Sequence, residues 1–249
     1  MIENHNTIVV IPARMASTRL PGKPLADIHG LPMIIHVWRR AIAANVGQVL
    51  VAAAENEIAE AIRAAGGDAI VTDPALPSGS DRIAEALRLR DPGQRFGFVV
   101  NLQGDLPTIE SLSIQRCLAG LVNEQAEIST IAARIEMETD LFDANIVKAI
   151  TPLNDEREVA FARDFVREIG PEHEPPYWHH IGVYAYRRSA LDRFVSLPVS
   201  AREAKRGLEQ MRALDNGMSI VVVRVEAVPL GVDTPAQLET ARQSLRQPL

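Results

Sequence analysis

The residues with the most evident chemistry lie at 12–24, Pro12-Ala-Arg-Met-Ala-Ser-Thr-Arg-Leu-Pro-Gly-Lys-Pro24, directly after the apolar run Ile8-Val9-Val10-Ile11. Arg14, Arg19 and Lys23 share this short loop with the small residues Ala16, Ser17, Thr18 and Gly22. An arginine fork grips phosphate oxygens in pairs, and a lysine adds a point charge. The set therefore suits an anion carrying several phosphates. A solvated basic loop is the plainer alternative. The apolar run before it and the Pro21-Gly22-Lys23-Pro24 turn after it argue for a built site.

Two aspartates follow apolar runs elsewhere. Asp105 lies in Asn101-Leu-Gln-Gly-Asp105-Leu-Pro107, and Asp233 in Gly231-Val-Asp-Thr-Pro235. Taken singly, Asp105 also reads as a turn residue bonding its own backbone, and Asp233 as a helix N-cap. Taken with the three loop cations, both carboxylates fit a divalent ion that bridges protein and phosphate oxygens. At such a site catalysis is mainly positioning and charge neutralisation. Ser78-Gly79-Ser80-Asp81-Arg82 opens a helix whose free amides suit an anion or a base-edge carbonyl. An N-cap explains the serines of that motif but not Arg82. His179, His180, Tyr184 and Tyr186 cluster in one segment, and Leu208-Glu209-Gln210 lies on a helix; these could bond a polyhydroxylated substrate. The histidines lack zinc-ligand spacing.

The elements that must position these groups alternate through the first half. Strands are expected at Ile8–Ile11, Val46–Ala53, Ala69–Val71 and Phe98–Leu102. Helices are expected at Pro32–Ala44, Glu57–Ala65, Ser80–Leu89 and Ile109–Leu121. This rhythm predicts an α/β fold: a doubly wound, mostly parallel, Rossmann-like sheet whose strand ends carry the site. Strands at Ile128–Ile135, Val147–Ile150, His180–Tyr186 and Ile220–Val225 follow, with helices at Ala190–Ser196, Glu203–Leu214 and Pro235–Leu245. Residues 151–178 read as loop. The chain is expected to form one domain over 1–249, with a disordered tail at 1–6 and a smaller loop-rich insertion at about 128–215.

The chain has 249 residues, 47% of them hydrophobic and 23% charged, with net charge −6. Such values belong to ordinary globular proteins and argue against wholesale nucleic-acid binding. A single cysteine, Cys117, excludes an intramolecular disulfide. No signal peptide or membrane-length apolar run is evident, so a cytoplasmic location with no membrane partner is expected. A nicotinamide dehydrogenase is excluded because no Gly-x-Gly-x-x-Gly follows the first strand.

The chain resembles the sugar-activating cytidylyltransferases from Ile8 to Leu238. The resemblance rests on Ile11–Pro24, Ser78–Arg82, Asn101–Asp105, His180-Ile-Gly-Val-Tyr184, Leu208–Gln210 and Gly231–Pro235. The first motif is specific to this family, and the histidine and Leu-Glu-Gln motifs point to its branch acting on 3-deoxy-manno-octulosonate (Kdo). The resemblance implies that CTP and a 3-deoxy-ulosonic acid react to give a CMP-sugar and pyrophosphate, by in-line attack of the anomeric hydroxyl on the α-phosphorus. Arg14, Arg19, Lys23 and Asp105 would be catalytic. Pro12, Ala13, Arg14, Ser17, Lys23, Ser78, Gly79 and Arg82 would bind nucleotide. Gln103, Arg163, His180, Tyr184, Glu209 and Gln210 would line the sugar pocket, with Arg163 near the sugar carboxylate. Asp105 and Asp233 would bind Mg2+, and the protein would be a homodimer. A cytidylyltransferase for amino-Kdo or sialic acid, and a non-catalytic nucleotide-binding paralogue, are the alternatives.

The chain departs from the family pattern at five places, one of them Gly104-Asp105-Leu106-Pro107, which is Gly-Asp-Glu-Pro in many members. Ala52-Ala53-Ala54 replaces Ala-Thr-Asp, and Asp164–Glu168 replaces Ala-Thr-x-Pro-Trp after Arg163. Arg206 and Gln237 stand where acids are often found. Cytosine offers an amino donor and a carbonyl acceptor, which the Pro12-Ala13 turn and the Ser78–Ser80 segment can meet with backbone groups. CTP is therefore expected to exceed ATP and GTP in kcat/KM by at least about tenfold, or about 1.4 kcal/mol, with UTP the nearest competitor. Pyrophosphate release with each triphosphate measures this, and equal turnover of ATP would remove the assignment.

Overall fold

The computed structural model describes residues 6–245, and its chain forms two compact units. One runs to Gln115 and resumes at Pro229; the other is Arg116–Val228. Residues 1–5 of the expected tail lie outside the described residues. Asn6 is held, with its side-chain oxygen accepting from Gly97 N–H at 2.6 Å.

In the first unit, strand β1 is Thr7–Ala13, with every residue buried. That burial explains its unbroken apolar run. A hairpin of two very short strands follows, β2 (Asp27–Ile28) and β3 (Leu31–Pro32). Helix α1 (Met33–Ala44) turns Met33, Ile34, Ile35 and Val37 inward. Then come β4 (Gln48–Ala53), α2 (Asn56–Ala64), β5 (Asp68–Val71), α3 (Gly79–Arg90) and β6 (Phe98–Asn101); α4 (Ser111–Asn123) begins in this unit and ends in the next. The four long strands lie in the order β5-β4-β1-β6, all parallel. This is the third-second-first-fourth order of a Rossmann-type half, as the alternation predicted. In such sheets ligands sit outside the carboxyl ends where the strand order reverses. Here that point lies between β1 and β6, and the loops leaving both strands carry the chemistry noted above.

The second unit is more antiparallel. Its elements are β7 (Ile128–Arg134), α5 (Glu138–Phe142), β8 (Lys148–Ile150), β9 (Val159–Phe161), β10 (Asp164–Val166), β11 (Trp178–Arg187), α6 (Arg188–Ser196), α7 (Ala201–Arg206), α8 (Gln210–Asp215) and β12 (Ile220–Val225). Strand β7 pairs antiparallel with β11 and parallel with β12; β9 pairs antiparallel with β12, and β10 with β8. Two expectations are corrected. The segment 151–178 contains β9 and β10, each too short to show alternation. The single helix expected at Glu203–Leu214 is two, because Gly207 takes φ 63 between them. A left-handed glycine ends a helix by satisfying its last carbonyls.

The chain returns to the first unit with α9 (Pro235–Ser244). Leu238 and Ala241 of α9 pack with Val232 against Ile28 of the hairpin and Met33 of α1. Arg242 also donates two bonds to the Asp27 carbonyl. Among the described residues, no helix is long and apolar enough to cross a membrane.

Strand β1 enters the sheet beside Gly47, where only glycine fits. A Cβ there would stand 2.1 Å from the Thr7 carbonyl oxygen. Backbone on both sides would have to move, so Gly47→Ala is expected to cost about 1–3 kcal/mol. Urea midpoints with unchanged m-value would measure this, and an unaltered midpoint would show that β1 and β4 are not so tightly apposed.

Candidate active site

The phosphate-loop candidate leaves β1 at Arg14 and closes on itself. Gly22, in the left-handed region at φ 71, donates its N–H to the Met15 carbonyl at 3.2 Å. A one-turn 3-10 helix, Lys23–Leu25, follows and turns the lysine inward. Lys23 Nζ donates to Asp105 Oδ2 at 2.8 Å and to Asp233 Oδ1 at 2.9 Å. Arg19 pairs with the other Asp233 oxygen at 3.0 Å from a far more exposed position. Burial disfavours the Lys23 charge, but the two carboxylates outweigh it and hold the ammonium above its ordinary range.

The two aspartates arrive by different routes. Asp105 follows β6, and its carbonyl accepts the Val232 N–H at 2.9 Å, which brings the segment bearing Asp233 alongside. The N-cap of α9 is Thr234, not Asp233. Thr234 and Gln237 form a reciprocal capping box, and Gln237 Oε1 also accepts the Asp233 N–H at 2.9 Å. Asp233 is thereby left to the cations, and the plain cap reading of it is corrected.

These groups line one cavity of about 370 Å³. Pro12, Ala13, Arg14, Ser17, Arg19, Lys23, Ser78, Gly79, Arg82, Gln103, Asp105 and Asp233, all expected from the sequence, form its wall. So do Ala16, Thr18, Pro24, Leu76 and Gly104, which carried no chemical signal. A Cβ on Gly79 would come within 3.3 Å of the Pro12 ring and 3.7 Å of Gln103 Oε1, so its absence keeps a flat slot open. Ser78 caps α3 through the Asp81 N–H and donates its own proton to the Asp81 carboxylate at 2.7 Å. Arg82 is almost fully buried and donates to Thr72 Oγ1 at 2.7 Å and the Asp73 carbonyl at 3.0 Å, fastening α3 to the end of β5. Gln103 donates its amide to Asn101 Oδ1 at 2.7 Å, which fixes the side chain beside Gly79.

The remaining sugar-site candidates belong to the second unit. His180 and Tyr184 stand on β11 with ring centroids 5.5 Å apart, and Phe165 meets His180 edge-on at 4.9 Å. Strand β11 carries an irregularity between Ile181 and Tyr184. Thr130 sits under it, with its hydroxyl 2.8 Å from the Val183 carbonyl and 3.0 Å from His180 Nε2. Thr130 has one proton, and the carbonyl takes it. His180 Nε2–H is then the donor to Thr130, a tautomer assigned from the network. Glu209 and the buried Gln210 begin α8, and Glu209 is near enough to Tyr184 to act on its phenol, which burial already pushes above its ordinary range. Arg163 is exposed between β9 and β10, its backbone N–H bonded to the Ile150 carbonyl at 2.7 Å.

Comparison with known proteins identifies the family. The family model described as cytidylyltransferase matches residues 8–220. The chain is 56% identical to the 3-deoxy-manno-octulosonate cytidylyltransferase of Parvibaculum lavamentivorans over 96% of its own length and 92% of that protein. The chain belongs to the cytidylyltransferase family. It is also 54% identical to the 3-deoxy-manno-octulosonate cytidylyltransferase of Rhodospirillum rubrum, covering 96% of this chain and 95% of that one. A solved structure of CMP:2-keto-3-deoxy-manno-octonic acid synthetase complexed with CTP superposes with a TM-score of 0.88 at 36% identity, covering 98% of this chain and 99% of that one.

Two departures of this cytidylyltransferase from the pattern prove to be one. Arg206, standing where an acid is often found, donates to the Asp164 carboxylate at 2.6 Å and to the Phe165 carbonyl at 2.8 Å. Asp164 is itself one of the altered residues after Arg163, so the new acid and the new base pair with each other. Gln237 keeps the acceptor that the Thr234 cap needs. Glu55 is a residue that sequence reading passed over; it reaches the Met15 amide of the cytidylyltransferase loop. Its only sequence signal was its place just past the end of β4.

Burial, then the neighbouring His179, pushes His180 down to about 3. The unfolded chain binds a proton there near 6.5, whereas the folded chain does not until about 3. Stability should therefore fall as pH drops below about 6.5, with His180 contributing up to about 1.4 kcal/mol per pH unit. His180→Gln is expected to flatten the dependence of the unfolding free energy on pH by one proton between pH 5 and 6. An unchanged slope would mean that this imidazole is not held neutral in the core.

Proposed function

We propose that the chain transfers the cytidylyl group of CTP to the anomeric hydroxyl of Kdo, giving CMP-Kdo and pyrophosphate. The observation that carries this is the convergence of Arg19, Lys23, Asp105 and Asp233 in the cavity that Pro12, Gly79 and Gln103 also wall. The likeness to proteins named for this activity supports the same reading.

The loop cations have the work of receiving three phosphates. Arg14 and Arg19 are exposed at the rim and can grip oxygens pairwise. Lys23 is engaged by carboxylates until the triphosphate arrives, and must then share its protons with phosphate oxygens. Asp105 and Asp233 offer hard oxygen donors that already converge on one cation. Among the described residues no group of three acidic, histidine or cysteine side chains could hold a metal alone. Magnesium suits such a pair, because it is commonly held by one or two carboxylates together with substrate phosphates and waters. Asp105 and Asp233 would hold it, and when bound it would neutralise charge at the phosphates and orient the leaving pyrophosphate.

On the sugar side, neutral His180 and Tyr184 with Glu209 and Gln210 would bond hydroxyls of Kdo, and Arg163 its carboxylate; Gln103, in the first unit, is the further hydroxyl-bonding residue that the resemblance names. Recognition of a polyhydroxylated acid by buried neutral groups discriminates well, because a missing hydroxyl leaves them unpaired. The family resemblance also supports a cytoplasmic homodimer.

The test is pyrophosphate release from CTP and Kdo with Mg2+. Asp105→Asn and Asp233→Asn are each expected to lower kcat by about 100-fold, near 2.7 kcal/mol, with the unfolding transition retained. Activity lost in EDTA should return with magnesium or manganese. Turnover that is unaffected by EDTA, or by either substitution, would leave the two aspartates as turn residues.

A further inference from the structure

We propose that Glu55 is a positioning residue of the nucleotide site, holding the Met15 amide and thereby the shape of the loop that carries Arg14, Arg19 and Lys23. The inference rests on the reading of that loop as the holder of the CTP phosphates.

Strands β1 and β4 run parallel as far as Ala13 opposite Ala53. The ladder makes one further bond, from Ala54 N–H to the Ala13 carbonyl at 2.9 Å. There the loop leaves the sheet, and the Met15 amide has no strand carbonyl to meet. Glu55 Oε2 accepts it at 2.9 Å, so a carboxylate takes the place of the missing backbone acceptor. The Met15 carbonyl is tied as well, by the Gly22 N–H. Both main-chain groups of Met15 are thus engaged, and the segment between Met15 and Gly22 becomes a closed ring.

Glu55 occupies the N-cap position of α2 but makes no side-chain bond to that helix. Its carboxylate is spent on the loop. The choice carries a cost, because Glu55 and Arg14 both act on the Arg82 guanidinium, and a negative charge among phosphate-binding cations opposes an anion. It has a second consequence. Phosphate cradles of the glycine-rich kind use loop amides, whereas here the Met15 amide is already taken. Side-chain cations must then do the holding, and they can do so only if the ring presents them in a fixed arrangement. The chain lacks an acid at Ala54, and Glu55, one position later, supplies a carboxylate at this strand end.

The experiment is calorimetric titration of the full chain with CTP, together with amide hydrogen exchange over 14–22 and steady-state kinetics. Glu55→Ala is expected to weaken CTP binding about tenfold, to speed exchange in the loop and to leave the unfolding midpoint nearly unchanged. It should raise the KM for CTP but not that for Kdo. Glu55→Gln keeps an acceptor and should restore binding to within about threefold of the parent. Equal damage in Glu55→Gln and Glu55→Ala would assign the effect to charge and overturn the proposal. So would Glu55→Ala with unaltered CTP affinity and loop exchange. Should Glu55→Ala fail to fold, Glu55→Asp serves, since its shorter arm cannot span to the amide; CTP affinity equal to that of the parent would overturn the proposal. A parent chain that does not bind CTP would overturn the nucleotide reading and this inference with it, whereas a parent that binds beside an unaffected Glu55→Ala removes only the role of Glu55.

Discussion

The Lys23 ammonium between Asp105 and Asp233 is the contact on which the site depends. Two carboxylates brought to one point repel each other. A single cation between them removes that cost. It also holds both carboxylates at one point, where they can exchange partners with a triphosphate or a metal ion. Arg19 adds a second positive charge on the outer side of Asp233. The site is therefore a neutralised cluster with cations to spare at its rim, ready for a highly charged anion.

The rest of the first unit brings these groups together. The strand order β5-β4-β1-β6 makes β1 and β6 neighbours, so the loop bearing Lys23 and the turn bearing Asp105 leave the sheet side by side. Asp233 comes from the far end of the chain, fastened by the packing of α9 on the hairpin that follows the phosphate loop. Thr234 and Gln237 close the helix end and release the aspartate for its ionic role. Arg82, although on the cavity wall, is also a fastening for α3.

The second unit works by a different chemistry. Two of its candidate groups are held uncharged: His180 by burial and its bond to Thr130, Tyr184 by burial beside Tyr186 and Glu209. Its ion pairs are structural. Glu203 and Arg212 meet nearly out of solvent, and Asp164 pairs with Arg206 beside the turn that leads into α8. Two replacements that looked like losses in the linear chain are reciprocal in space.

What the sequence determined by itself lies within a few residues of each signal. The buried run of β1, the cation-rich loop after it, the parallel alternation of the first half and the Ser78 cap follow from local apolar period, residue type and turn chemistry. They were legible for that reason. The family was legible as well, because its motifs are short and contiguous. The two short strands within 151–178 and the break at Gly207 were not, since three residues show no period and a glycine inside an apolar pattern does not announce its φ. Only the tertiary structure decided that Lys23 meets both aspartates, across 82 and 210 positions of chain. It alone showed that Glu55 reaches Met15 across 40 positions and that His180 is neutral in the core. The physical reason is the same in each case: a carboxylate, an ammonium or an imidazole takes its role from what surrounds it, and those surroundings are supplied by segments far away in the chain.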